Sequence, residues 1–236
     1  MSTPDTILPI YEEKAAAYAR RRAHGQSLLE RAWLDRLLDR PYGGLAGRSG
    51  HDTAPKSASK PEHDTAPNLA NSPEHGPQIR ALDLGCGPGV PLAAYLLAQG
   101  CEVTGVDGAR GMIDLFRENL PQANAHHADM RGLNLGATFD AILAWDSFFH
   151  LAPADQEAMF PVFARHAAPG ARLLFTSGPA EGTAIGAVEG APVYHSSQSP
   201  ETYRAWLATA GFAVLSFVPE DPECGMHSVW LAERRS

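Results

Sequence analysis

Three stretches predict an α/β protein built on a doubly wound, mostly parallel sheet. Residues 79–84 are a short apolar run holding one acid, which breaks into glycine at alternate positions, Gly85, Gly87 and Gly89, before a helix-like segment from Pro91 or Leu92. Residues 102–107 are a second such run, also ending in an acid. Residues 139–145 are apolar almost throughout, the pattern of a strand buried on both faces as parallel strands are.

The glycine turn is chemistry as well as geometry. Glycine is required where backbone takes positive φ or a ligand comes within contact distance, and the amides of a helix N-terminus add donors beside it. The dinucleotide fingerprint would need a glycine where Val90 stands and no acid inside the strand. Asp83 instead sits two residues before Gly85, where it favours a cationic group through charge-assisted hydrogen bonds worth ~1.5–3 kcal/mol each. A pyrophosphate is repelled there and a zwitterion with an ammonium is not.

The run Asp83-Leu84-Gly85-Cys86-Gly87-Pro88-Gly89 resembles motif I of the class I S-adenosylmethionine-dependent methyltransferases, and the order of later segments is similar to that family. The resemblance implies a Rossmann-like sheet with an antiparallel closing strand, an N-terminal helical lid and S-adenosyl-L-methionine as cofactor. It places Asp83, Gly85, Cys86 and Gly87 against the cofactor. Asp107, at the tip of the second strand, takes both ribose hydroxyls, with a helix N-cap as its structural alternative. Met112 lies against the adenine or packs in a helix core. Asp129 reaches the adenine amino group, and the backbone amide of Met130 the ring. Trp145 and Asp146 stand where such enzymes vary with substrate. Trans-aconitate methyltransferases and other small-molecule members are the nearest family image, through the cofactor half alone.

The elements follow in order. Residues 11–40 read as helix, from Tyr11, Tyr18, Leu28, Leu29, Trp33, Leu34, Leu37 and Leu38 at three- and four-residue spacing, with Gly25 dividing it in two. Arg20, Arg21 and Arg22 form a solvated face, unless one reaches a ligand carboxylate; by resemblance, Tyr11 and Tyr18 are lid candidates, with core packing the other use. Residues 43–78 turn abruptly to Gly, Pro, Ser, His, Asp and Asn and hold a twelve-residue tandem repeat, 51–62 and 63–74, identical at eight positions. With almost no apolar positions it cannot stack into a core and reads as a disordered linker between a lid, 1–42, and a core, 79–236.

A helix over 92–99 ends at Gly100, and strands follow at 102–107 and 123–128. His126 and His127 fall on a strand surface. The strand 139–145 runs into the loop 146–151, where His150 is a candidate general base, its ordinary pKa being near 6.5. Residues 153–167 form a helix with Pro153 near its first position and Pro161 kinking it, and Pro169-Gly170 turns the chain into strand 171–177. The glycine-rich passage 178–199 reads as a long loop over the substrate pocket, with Tyr194 and His195 offering it a hydroxyl and an imidazole. Ser199-Pro200 caps a helix over 201–210, and strands at 212–218 and 227–231 close the sheet antiparallel, with His227 at core or edge.

Composition narrows the function. A chain of 236 residues with 44% hydrophobic residues buries a sizeable core. A net charge of −8 argues against a nucleic-acid backbone as main partner and favours a small-molecule substrate. Three cysteines without a CxxC pair suggest a reducing compartment and neither disulfide framework nor metal site. No apolar run approaches the ~20 residues of a membrane span and residues 1–10 do not read as a signal peptide, so the expected location is cytoplasmic. The expected activity is methyl transfer to the oxygen, nitrogen or carboxylate of a small molecule. The alternatives are a non-catalytic cofactor-binding module and a protein or RNA methyltransferase. The sequence leaves the oligomeric state open.

Overall fold

A computed structural model describes residues 2–23, 28–39 and 78–236. The predicted linker with its repeat, and Gly25, lie outside the described residues, Gln78 excepted.

Four parallel pairings set the core. Strand β1 (Arg80–Leu84) pairs on one side with β2 (Glu102–Asp107) and on the other with β4 (Phe139–Ala144). Beyond β2 lies β3 (Asn124–His127), and beyond β4 lies β5 (Ala167–Ser177). The chain then closes with β8 (Phe212–Asp221) and β9 (His227–Arg234), and β9 pairs antiparallel to both β5 and β8. The seven-stranded order is β3-β2-β1-β4-β5-β9-β8. Because β1 has its sequence neighbour on one side and β4 on the other, the sheet reverses direction of winding there, and a crevice opens beyond the strand ends at that point.

Alternation along the strands sends side chains to two separate cores. Ala81, Val103, Ala141, Leu143 and Trp145 face helices α2 (Arg31–Leu38), α3 (Leu92–Ala98) and α4 (Arg110–Asn119), where Trp33, Leu96, Ile113 and Phe116 bury. Leu82, Leu84, Ile142, Ala144 and Phe175 face α5 (Pro153–His166) and α6 (Pro200–Thr209), where Met159, Phe163, Tyr203 and Leu207 bury. Pro161 stands inside α5, and the Ser199 hydroxyl accepts from Thr202 N at the start of α6, both as the sequence implies.

Helix α1 (Ile7–Ala23) lies apart from both cores. It starts earlier than the spacing of its aromatics suggests and packs between α4 and a hairpin, through Ala15 against Met112 and Ala109, and Ile7 against Val188 and Val193. The Glu12 carboxylate accepts from Gly111 N at 3.0 Å, so an anion on α1 meets the positive end of α4.

That hairpin corrects the expected loop over 178–199. Strands β6 (Gly182–Val188) and β7 (Ala191–Ser197) pair antiparallel, joined by Glu189 and Gly190 at φ 48 and 78. Two left-handed residues in a two-residue connection are the turn that matches strand twist. Its glycines obscure the alternation in the sequence while serving packing: a Cβ at Gly186 would stand 2.6 Å from the His195 ring.

Gly89 is a tightly enclosed glycine of the loop between β1 and α3. Its φ is 79, and a Cβ there would lie 2.6 Å from Leu120 and 2.7 Å from Phe116. Gly89→Ala is expected to destabilise the fold by ~2–4 kcal/mol, from the left-handed backbone and the overpacked ring together, measured as a lowered urea midpoint at unchanged slope.

Candidate functional site

At the carboxyl ends of β1, β2 and β4 an open cleft encloses about 1210 Å³ of non-protein space, its mouth included. Its floor is the glycine loop, and α1 forms a wall with Leu8, Tyr11, Tyr18 and Arg22. Asp83, Gly85, Cys86, Gly87, Asp107, Met112, Asp129, Met130, Trp145 and His150 all border it, so ten of the sequence-predicted residues meet in one place.

The loop is tied back to the protein. Gly85 N and Cys86 N both donate to Val106 O, at 2.8 and 3.1 Å, and Gly89 N donates to Cys86 O. Gly87 N donates to Asp107 Oδ2 at 2.9 Å, while Ala109 N donates to Oδ1 at 2.8 Å. The amides of Gly85, Cys86, Gly87 and Gly89 are therefore spent internally. What the glycines contribute is shape: a Cβ at Gly85 would sit 2.2 Å from the Ser147 Cβ, and the Ser147 hydroxyl is itself bonded to Leu84 O.

Burial governs the charges at this end. Asp83 is 3% exposed, and desolvation together with the nearby Asp107 carboxylate raises its pKa to about 7, with Arg22 opposing. Asp107 is also raised by burial, against the two amides it accepts from. Burial pushes the Cys86 thiol far up, which leaves it an inert apolar wall. Farther along, Arg131 holds Asp129 through Nε and Nη2 and reaches Asp155 at 3.0 Å. Burial of Asp129 works the other way, but Arg131's hydrogen bonds and charge outweigh it and keep its carboxyl below the usual range.

The other end is built from side chains of four elements. His150 sits in a short 3-10 turn after β4 and is almost fully buried. Its Nδ1 faces the Tyr194 carbonyl at 2.8 Å and so carries the proton, which leaves Nε2 to accept from the Tyr11 hydroxyl at 2.9 Å. Burial lowers the His150 pKa to about 4 and raises that of Tyr11, so both are neutral at pH 7. A base of that strength is poorly matched to neutral pH, and the imidazole instead orients the tyrosine.

Tyr194 and His195 do not border the cleft, a correction to their expected place. Tyr194 packs beside α1 and uses its backbone carbonyl on His150, and His195 meets Phe149 at a tilt and His150 edge-on, at ring distances of 4.6 and 4.9 Å. They support the wall from behind.

His227 is the residue that sequence reasoning missed. Its Nε2 lies 3.2 Å from Asp146 Oδ2 in a hydrogen bond and 3.0 Å from Oδ1, and Nδ1 bonds Cys224 O at 2.7 Å. The hydrogen bond to Asp146 outweighs burial and lifts its pKa to about 9, making it a cation at neutral pH. No spacing signal links residues 81 positions apart; only the pairing of β9 with β5 does.

Residues 81–170 match the sequence model of a family described as a methyltransferase domain. Over 90 residues the chain is 36% identical to a dTDP-3-amino-3,6-dideoxy-alpha-D-glucopyranose N,N-dimethyltransferase of Streptomyces fradiae, covering 37% of this chain and 35% of that protein. It is 32% identical over 91 residues to a dTDP-3-amino-3,4,6-trideoxy-alpha-D-glucopyranose N,N-dimethyltransferase of Streptomyces venezuelae, covering 38% of each. The match thus spans little more than a third of those relatives. A magnesium protoporphyrin IX methyltransferase from Synechocystis PCC 6803, solved with bound S-adenosylmethionine, shares the fold over 99% of this chain and 98% of its own at 16% identity and a TM-score of 0.63.

The Asp146–His227 pair carries a signed pH dependence. Since the folded pKa of His227 is raised to about 9, its stabilisation is complete below about pH 6.5, the ordinary histidine value, and lost as pH rises through 9. Thermal melts from pH 6.5 to 9.5 are expected to fall more steeply for the parent than for Asp146→Asn.

Proposed function

We propose that this chain, whose residues 81–170 match a methyltransferase-domain family model, is a class I S-adenosylmethionine-dependent enzyme that transfers a methyl group to a small-molecule acceptor. The observation that carries the reading is the meeting of Asp83 and Asp107, on adjacent parallel strand tips, at one cleft beyond the ends of β1, β2 and β4. The fit to the cofactor is chemical: a buried carboxylate for an ammonium, a second acid at a ribose-binding strand tip, and a loop whose shape a Cβ would fill. When bound, S-adenosylmethionine supplies an electrophilic methyl group.

The chain's own residues bind and align. Asp83 takes the ammonium, Gly85, Cys86 and Gly87 form the surface beneath it, and Asp107 takes the ribose hydroxyls with the oxygen lone pairs left by Gly87 N and Ala109 N. Met112, Met130 and Asp129 border the base, and Arg22 on α1 is placed for the carboxylate. Trp145, Asp146 and the Tyr11–His150 pair form the wall for the acceptor. Alignment of two bound reactants can supply ~7–11 kcal/mol of barrier reduction without any base. The lid role of α1, the 43–78 linker and the 79–236 core belong to the same proposal. So does a cytoplasmic location, which the three free cysteines support. No helix among the described residues is long and apolar enough to cross a membrane.

Calorimetry with S-adenosylhomocysteine tests the reading directly. Asp107→Ala is expected to weaken binding by about tenfold or more, the loss of hydrogen bonds to a charged group; unchanged affinity would remove Asp107 from the ribose site. Affinity should also depend on pH. Asp83 binds a proton below about pH 7, so affinity for the ammonium is expected to rise from pH 6 to 8 and level off, and to lose that slope in Asp83→Asn.

A further inference from the structure

At the acceptor end the cleft is organised around a carboxylate. Asp146 has φ 49, a left-handed conformation that side-chain-bearing residues seldom adopt, and its amide donates to Thr176 Oγ1 at 2.9 Å. From behind, His227 Nε2 contacts both carboxylate oxygens while its Nδ1 is fixed by Cys224 O. Oδ1 is buried without an aligned hydrogen bond, yet the side chain is 28% exposed and borders the cleft. So the carboxylate is held rigidly by a contact outside the cleft and still presents surface within it.

Its surroundings select by charge. The cleft is bordered by five acids, Asp5, Asp83, Asp107, Asp129 and Asp146, and by two arginines. Arg131 is engaged by Asp129 and Asp155, the His227 cation stands behind Asp146, and Arg22, 3.9 Å from Glu30, is the group assigned above to the cofactor's own carboxylate, so the acids bordering the cleft still outnumber the cations. Tyr11, Tyr18 and Trp145 add aromatic surface beside Asp146. Such a wall attracts a cation, through its field and its ring faces, and repels a carboxylate.

Resting on the methyltransferase reading above, we propose that Asp146, positioned by His227, is the acceptor-selecting residue of the cleft, and that the acceptor it selects is a small polar amine arriving as an ammonium. Asp146 accepts the N–H groups of that ammonium, and His227 acts only through Asp146. Before transfer the nitrogen gives one of those protons to bulk water at the cleft mouth, and the lone pair so freed forms the N–C bond as the methyl–sulfur bond breaks and its electron pair stays on sulfur. An anionic acceptor is disfavoured by the same carboxylate.

Three sugars that share a ring and differ in the group presented test this: 3-amino-3-deoxyglucose, glucose and glucuronate, titrated by protein NMR into chain saturated with S-adenosylhomocysteine. The amino sugar is expected to bind best and glucuronate worst. Asp146→Asn should weaken the amino sugar about tenfold and leave glucose unchanged. His227→Ala should show an intermediate loss that His227→Gln, which still donates, partly restores. In the parent, the His227 ring signals should shift on adding the amino sugar and not glucose. Equal binding of amino sugar and glucose by the parent, or full amino-sugar affinity in Asp146→Asn, overturns the assignment. Failure of the parent to take S-adenosylhomocysteine overturns the methyltransferase reading instead. The sugars are then titrated alone, where a retained ammonium preference supports Asp146 and its absence overturns it.

Discussion

The site depends on one carboxylate serving two backbone amides. Asp107 closes β2 and accepts from Gly87 N and Ala109 N, one oxygen to each. The first bond fixes the glycine loop after β1, and the second fixes the turn that leads into α4, so neighbouring strand tips keep a constant spacing. Burial raises the cost of an unpaired charge there, and the two amides offset it. A carboxylate used this way still has lone pairs free, which reconciles its structural duty with the ribose contact proposed for it. The turn-capping use and the ligand-binding use of Asp107 are thus one geometry.

Helix α1, proposed above as a lid, borders the same arrangement. Helix α1 has no place in either large core, and its attachment is a handful of contacts: Glu12 on the α4 amide, Tyr11 on His150, Arg21 on Glu189 and a few small apolar side chains. These contacts, and not burial in either large core, hold the helix beside the cleft. Its Tyr11 is oriented by His150, which is in turn oriented by the hairpin β6–β7. The hairpin therefore shapes the cleft without lining it, which is why Tyr194 and His195 matter through position and not through contact.

Most of the sheet was legible in the sequence, because its signals are local. Apolar runs ending in an acid, the alternate glycines, Gly100 after α3 and Ser199-Pro200 before α6 each specify structure within a few residues. Asp83 and Asp107 could be matched because each lies at the end of such a run. The hairpin was not legible: glycine at 178, 182, 186 and 190 suppresses the strand pattern, and only the pairing of Thr183 with Ser196 and its neighbours reveals it. His227 was illegible for a deeper reason, since its partner is 81 residues away and the contact exists only after the sheet is closed.

That closure gives the antiparallel ending of the sheet a functional meaning. A parallel strand beside β5 would present its last residue at the cleft, as β1, β2 and β4 do. Strand β9 runs the other way, with Ser177 opposite Ser228, so its first residue, His227, arrives at the same edge as the ends of the parallel strands. The short turn Pro222–Cys224 before it supplies the carbonyl that fixes the second imidazole nitrogen. A histidine held at both nitrogens has one orientation, and Asp146, just past the end of β4 with β5 between it and β9, is therefore pinned against a fixed cation. Chain reversal in the last two strands thus places a fixed charge beside a cleft that the parallel part of the sheet creates.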